Sequence, residues 1–217
     1  MVEWLKYFID FVLHLDKHLF ELVSTYGIWT LVFLFLIVFA ETGFIATPFL
    51  PGDSLLFAAG AVAATGALNI YILVGVLVAA AILGDTANYW FGYHLGPKIF
   101  RKHKSAFFNP EYLERTNRFF DKYGGKTIII ARFIPIIRTF APFVAGIGRM
   151  SYVRFASYNI FGAIFWVPPF AFMGYFLGTL PIIKQNFGFM IIAIIVISLI
   201  PAVVEYIRHR QMKRGRC

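Results

Sequence analysis

Long apolar runs dominate this chain of 217 residues, and the breaks between them carry its prolines and most of its charge. Leu5, Phe8, Ile9, Val12, Leu13, Leu19 and Phe20 recur at helical spacing, while Lys6, Asp10, His14, Lys17 and His18 fall largely elsewhere on the wheel. The spacing predicts an amphipathic helix over 1–22, lying in the membrane interface. From Gly27 to Thr47 the only charge is Glu41, and the run is long enough to cross a hydrocarbon layer that needs about 20 helical residues. Pro48, Pro51 and Gly52 break that helix, because proline lacks a backbone donor and clashes with the preceding turn, and Asp53 stands at the restart. The stretch Ser54 to Thr65 is too short to cross with ease, so 27–66 reads as a span followed by a first hairpin.

Residues 68–93 form a second span that carries Asp85, Asn88 and Tyr89. Residues 96–126 hold eight Lys or Arg against three Asp or Glu and read as an aqueous loop, with a surface helix expected near Asn109-Pro110. Residues 127–150 are apolar apart from basic groups that include Arg132 and Arg138, and Pro135, Pro142, Gly146 and Gly148 interrupt them. Residues 152–207 make two spans, at about 155–178, broken by Pro168-Pro169, and at about 187–207, before the basic tail 208–217.

Counting crossings gives a topology. The loop at 96–126 and the tail are both strongly basic, and basic flanks favour the cytoplasmic face. An even number of crossings must then separate them. With two clear spans between, 127–150 enters and leaves on one side as a re-entrant hairpin, and the same logic makes the first hairpin enter from the opposite face. Phe57-Ala-Ala-Gly60 recurs as Phe143-Val-Ala-Gly146, and Tyr89-Trp-Phe-Gly92 as Tyr175-Phe-Leu-Gly178, both at an offset of 86 residues. The expected fold is therefore a single all-α polytopic membrane domain: an inverted repeat with two opposed re-entrant hairpins plus transmembrane helices, its C-terminus cytoplasmic.

Composition narrows function. Hydrophobic residues make up 59% and charged residues 14% of the chain, too little polar surface for a soluble globule of this size. The net charge of +9 fits contact with anionic membrane lipids rather than nucleic acid. The N-terminal segment lacks the order of a cleaved signal and is read as retained. The one cysteine, Cys217, makes no internal disulfide; the five histidines show no metal-ligand spacing; and no nucleophile elbow or P-loop is present, so neither metal, cofactor nor catalytic group is expected. A homo-oligomer is left open.

Glu41, Asp53, Asp85, Arg132 and Arg138 are the ionisable groups well inside apolar segments. Each costs about 2.5–3.5 kcal/mol at a helix centre on insertion scales, so a role is the default reading. The competing reading for Glu41, Arg132 and Arg138 is a structural ion pair, though buried ion pairs stabilise poorly. Asp53 could instead cap a helix, and Asp85 with Asn88 and Tyr89 could be a polar contact between helices. A guanidinium stays charged and offers a planar fork to phosphate oxygens, which makes Arg132 and Arg138 candidates for an anionic headgroup. A carboxyl at membrane depth is pulled toward protonation by desolvation and away from it by a nearby arginine, a balance suited to carrying protons.

The runs E41-T-G-F-I-A-T-P-F-L-P-G-D53-S-L-L-F and A131-R-F-I-P-I-I-R138-T-F-A-P-F-V-A-G146, with G84-D85 and N88-Y89-x-x-G92, resemble the DedA family, also called the SNARE-associated or VTT-domain family. The resemblance implies two opposed hairpins, dependence on the proton motive force, residence in the bacterial cytoplasmic membrane and transport of undecaprenyl phosphate. It assigns the essential acidic pair to Glu41 and Asp53 and the essential basic pair to Arg132 and Arg138; Asp85, Asn88 and Tyr89 are accessory candidates on the reading of the residues themselves. Rival readings are a proton-coupled carrier of a small ion or cationic drug, a general phospholipid scramblase, a lipid-phosphate enzyme and a packing scaffold.

Overall fold

The computed structural model describes residues 15–44, 52–102, 126–132, 135–181, 183, 187–194 and 196–197. Among them every regular element is helical: α1 Leu15–Tyr26, α2 Thr30–Gly43, α3 Gly52–Ala63, α4 Ile70–Lys102, α5 Lys126–Ala131, α6 Pro135–Ile147, α7 Tyr152–Leu177 and α8 at 187–194. The expected helix near Asn109-Pro110, the first 14 residues and the basic tail lie outside the described residues. The chain divides into two compact units, the first comprising Met1–Phe35, Pro51–Leu77 and Val167–Cys217, the second Leu36–Leu50 and Val78–Trp166.

Four expectations change. The first helix does not end at residue 22. It runs to Tyr26, and a single 3-10 turn at Gly27–Trp29, allowed by Gly27 at φ +54°, joins it to α2. His18–Gly43 is consequently one apolar stretch of 26 residues, long enough to cross a bilayer, as are Ile70–Leu95 and Tyr152–Leu177. The second span does not stop at 93 but continues as helix to Lys102, because a helix satisfies its own backbone on either side of a membrane boundary. Nor do prolines break α7 or α6: Pro168 and Pro169 lie within one continuous helix and Pro142 within the other. Neighbouring helices in membranes tolerate the carbonyls that such prolines free.

In the first unit, every residue of α3 except Asp53 is buried, as expected of a helix apolar all round. It packs on α1, whose Leu19 and Val23 face inward. Gly60 lies against the backbone of α7, where an added Cβ would stand 2.9 Å from the Ala171 carbonyl carbon and 3.1 Å from the Tyr175 nitrogen. Gly174 in turn accepts the backbone of Phe57.

The second unit repeats this seat with other residues. Gly146 of α6 lies against α4 between Tyr89 and the nitrogen of Tyr93, 2.8 Å from an added Cβ, and Gly92 accepts Phe143. The α3 and α6 residues match at the expected offset of 86, yet their partners Gly92 and Gly174, or Tyr93 and Tyr175, stand 82 apart. This is the fourth change: the counterpart of Gly92 is Gly174, not Gly178. A shift of four residues is about one helical turn and preserves the face.

α5 and α6 pack on each other, with Arg132 in the turn that ends α5 and Pro135 opening α6. The far end of α6 closes with Arg149 N–H donating to the Gly146 carbonyl at 3.0 Å and Met150 N–H to the Ala145 carbonyl at 3.1 Å, Arg149 taking the left-handed position at φ +52°. Tyr89, Ile128, Ala145 and Phe155 form the core beside it, the Tyr89 and Phe155 rings stacking at 4.5 Å.

Candidate functional site

The second unit buries a charged centre, assembled where two glycines let helices touch. An added Cβ on Gly43 would stand 3.4 Å from the Gly84 carbonyl oxygen, and one on Gly84 would stand 2.8 Å from the Phe39 carbonyl oxygen and meet the Thr42 hydroxyl. Backbone therefore meets backbone, which draws the turn bearing Glu41 to the turn bearing Asp85.

Arg132 donates to Asp85 and to the Asn159 side-chain oxygen, and Arg138 is paired with Glu41. Glu41 is 0% exposed, Asp85 3%, Arg132 4% and Arg138 7%. A buried pair of this kind keeps its charges only while both members stay, since removing one strands the other. Both guanidinium carbons lie over the indole of Trp166, at 4.7 Å for Arg138 and 5.9 Å for Arg132 from the ring centroid, within the range of a cation–π attraction.

Two asparagines brace the centre. The Asn88 amide donates to the carbonyl of Thr42 at 3.2 Å and to that of Thr139 at 2.7 Å, and these residues directly follow Glu41 and Arg138. The Asn159 amide donates to the Ile82 carbonyl at 3.0 Å and the Thr86 hydroxyl at 3.4 Å while its oxygen accepts from Arg132. Gly162 leaves room for the arginine stem: an added Cβ would stand 2.7 Å from Cδ and 2.8 Å from Nε of Arg132. Among the described residues, Glu41 Oε2, Asn88 Oδ1 and Arg132 Nε carry no hydrogen bond, so the centre retains polar capacity after its internal pairs form.

Glu41, Asp85, Asn88, Arg132 and Arg138 come together within the second unit; Asp53 is half-buried in the first turn of α3, in the first unit. Asp85 is thus the carboxylate closed on Arg132. Tyr89 serves the end of α6, its hydroxyl donating to the Met150 carbonyl. Asn159, Gly162 and Trp166 escaped sequence reasoning, which weighed ionisable groups. An asparagine inside an apolar run was the available signal, because an amide at membrane depth needs partners. Among the described residues no group of His, Cys, Asp or Glu could hold a metal.

The three helices of crossing length expose Phe33, Leu36, Ile72, Leu83, Phe161 and Phe165. An apolar exterior around a buried charged centre defines an integral membrane protein. Comparison with known proteins agrees: residues 50–176 match the VTT domain. The chain is 52% identical over 212 residues to "Protein DedA" of Escherichia coli, covering 97% of each. It is 41% identical over 194 residues to an uncharacterized membrane protein of Mycobacterium tuberculosis, covering 88% of this chain and 85% of that one, and 32% identical over 179 residues to "Inner membrane protein YghB" of Salmonella typhimurium, covering 82% of each. No solved structure matches. The chain belongs to the DedA, or VTT-domain, family.

Proposed function

We propose that this protein is a proton-motive-force-dependent lipid transporter, a flippase that returns undecaprenyl phosphate across the bacterial cytoplasmic membrane. The observation that carries the reading is the pair of buried arginines, each closed on a carboxylate from a different helix. Their four charges cancel, so the resting centre is neutral and tolerable at membrane depth. A lipid phosphate offers each guanidinium the same planar match as a carboxylate does, and with more charge. When it displaces Glu41 from Arg138, the freed carboxylate is an isolated buried charge, a state relieved by taking up a proton. Cargo and proton then load together, and the coupling is reciprocal. Asp53, in the first turn of a helix otherwise lined by apolar and small residues, is the second proton carrier, and Asp85 the third carboxylate in the path.

A carrier of small ions or cationic drugs would use the carboxylates but leave both arginines without a task. A general phospholipid scramblase shares the phosphate chemistry and differs in needing no gradient. Both are separated by one experiment. In liposomes, undecaprenyl phosphate should cross faster than a glycerophospholipid, and an imposed pH gradient should accelerate it in the parent but not in Glu41→Gln or Asp53→Asn. Equal transport of the two lipids without a gradient favours the scramblase, and an unchanged gradient response in both variants removes these residues as proton carriers.

Opposed re-entrant hairpins belong to the same proposal. Support comes from the far end of α6, where Met150 meets Tyr89 and Arg149 lies 5.8 Å over the Tyr93 ring. The end of α6 thereby returns to the part of α4 that leads into the basic segment from which α5 starts. In a chain carrying Cys217→Ser, Gly125→Cys and Ser151→Cys should label from the same face of the membrane. Labelling from opposite faces would make 127–150 a crossing and end the hairpin model.

A further inference from the structure

Two cations at one aromatic ring are not independent. Trp166 is among the largest fully buried side chains of the described residues, 1% exposed, and its indole lies within 6 Å of both guanidinium carbons, 4.7 Å from that of Arg138 and 5.9 Å from that of Arg132. The arginines come from α6 and the turn before it, whereas their carboxylates come from α2 and α4. The ring, on α7, therefore connects ion pairs that otherwise sit on separate helices.

A cation–π attraction is electrostatic, and it strengthens when the cation has no anion beside it. If Glu41 is neutralised, Arg138 leans on the indole more strongly. Because that cation then presents more of its charge at the shared ring, the ring offers less to Arg132, which must rely more on Asp85 and Asn159. The disturbance in one pair is thereby felt in the other. We infer that Trp166 is a positioning residue that couples the Glu41–Arg138 and Asp85–Arg132 pairs, so that both arginines respond to an anionic phosphate as one unit. Its identity as a lipid phosphate rests on the function proposed above; the coupling of the pairs does not.

The surroundings favour this role over simple space filling. Gly162, one turn before Trp166 on the same helix, makes room for the Arg132 stem, and Asn159, a further turn before with respect to the helix repeat, accepts from the same guanidinium. One face of α7 thus presents a clearance, an acceptor and a π surface to the two arginines. Tryptophan is also the aromatic with the strongest cation attraction, so Trp166→Phe should weaken the coupling while keeping a ring in the core.

The full chain in lipid nanodiscs tests this. In Trp166→Phe, the pH profile of transport should broaden and lose part of its steepness, a change that a packing role alone does not predict. Should that variant fold poorly, the single-tryptophan protein Trp4→Phe/Trp29→Phe/Trp90→Phe keeps the question open to measurement, since Trp29 and Trp90 are exposed. Its Trp166 emission is followed from pH 4 to 10, alone and with Glu41→Gln or Asp85→Asn. Coupling predicts that each amide alters the emission and also moves the transition left by the other carboxylate by about one pH unit or more. Transitions that are additive and unmoved, or an emission that ignores both carboxylates, overturn it. Coupled transitions in a protein that does not transport undecaprenyl phosphate would sink the proposed cargo and leave Trp166 in its role; transport with independent transitions would do the reverse.

Discussion

The helix seats of the two units use the same device with opposite polarity. In the first, Gly60 and Gly174 bring α3 against α7, and the buried residues of α3 are apolar or small. In the second, Gly146 and Gly92 bring α6 against α4, but α6 buries Arg138 and Thr139 while exposing Ile137 and Phe140. The two buried pairs that join Arg132 to Asp85 and Arg138 to Glu41 both lie in the second unit. Glycine packing is common to both seats, and the buried arginine pairs belong to the second. Because buried ion pairs seldom stabilise more than apolar residues of the same shape, their presence on one seat argues for a task beyond holding helices together.

Predictions sharpen this contrast. The largest effect should follow loss of one partner from a pair. Arg138→Met or Arg132→Met strands a buried carboxylate and should cost about 3–5 kcal/mol, read as a lower melting temperature in detergent, with transport abolished. Restored melting in Arg138→Met/Glu41→Leu without restored transport would confirm that the pair serves function more than fold. A melting temperature unchanged by either single arginine variant would show that the centre is hydrated rather than buried.

A middle effect should be common to both units. Gly60→Ala and Gly146→Ala each place a Cβ within 3.0 Å of facing backbone, and the helices must part, at about 1–3 kcal/mol. The two melting shifts should be similar. A large shift for one variant with none for the other would break the equivalence of the seats.

The smallest effect is expected at Ser54, whose buried hydroxyl has no hydrogen-bond partner among the described residues. Ser54→Ala removes a desolvated polar group without stranding another, so stability should change by less than about 1 kcal/mol or rise slightly. Strong destabilisation would reveal a partner for that hydroxyl and make the first seat less apolar than it looks.

What the sequence determined by itself is whatever follows from a residue and its near neighbours. A hydrocarbon layer imposes a length and an apolar composition on any helix that crosses it, so the spans at 68–93 and 155–178 were legible, although their ends were not. Charge at membrane depth is costly, which singled out Glu41, Asp53, Asp85, Arg132 and Arg138 before any fold was known. The fold alone decided which of them meet. Glu41 and Arg138 are far apart in the chain, and nothing in either flank names the partner. The choice is made by glycines at 43 and 84 that bring two helix backbones together, by Asn88 bridging the carbonyls after each charged residue, and by Gly162 clearing a path for Arg132. Trp166 was invisible among 26 Phe and 11 Tyr for the same reason. An aromatic residue has one composition whether it faces lipid or two buried cations, and only the packing of α7 determines which.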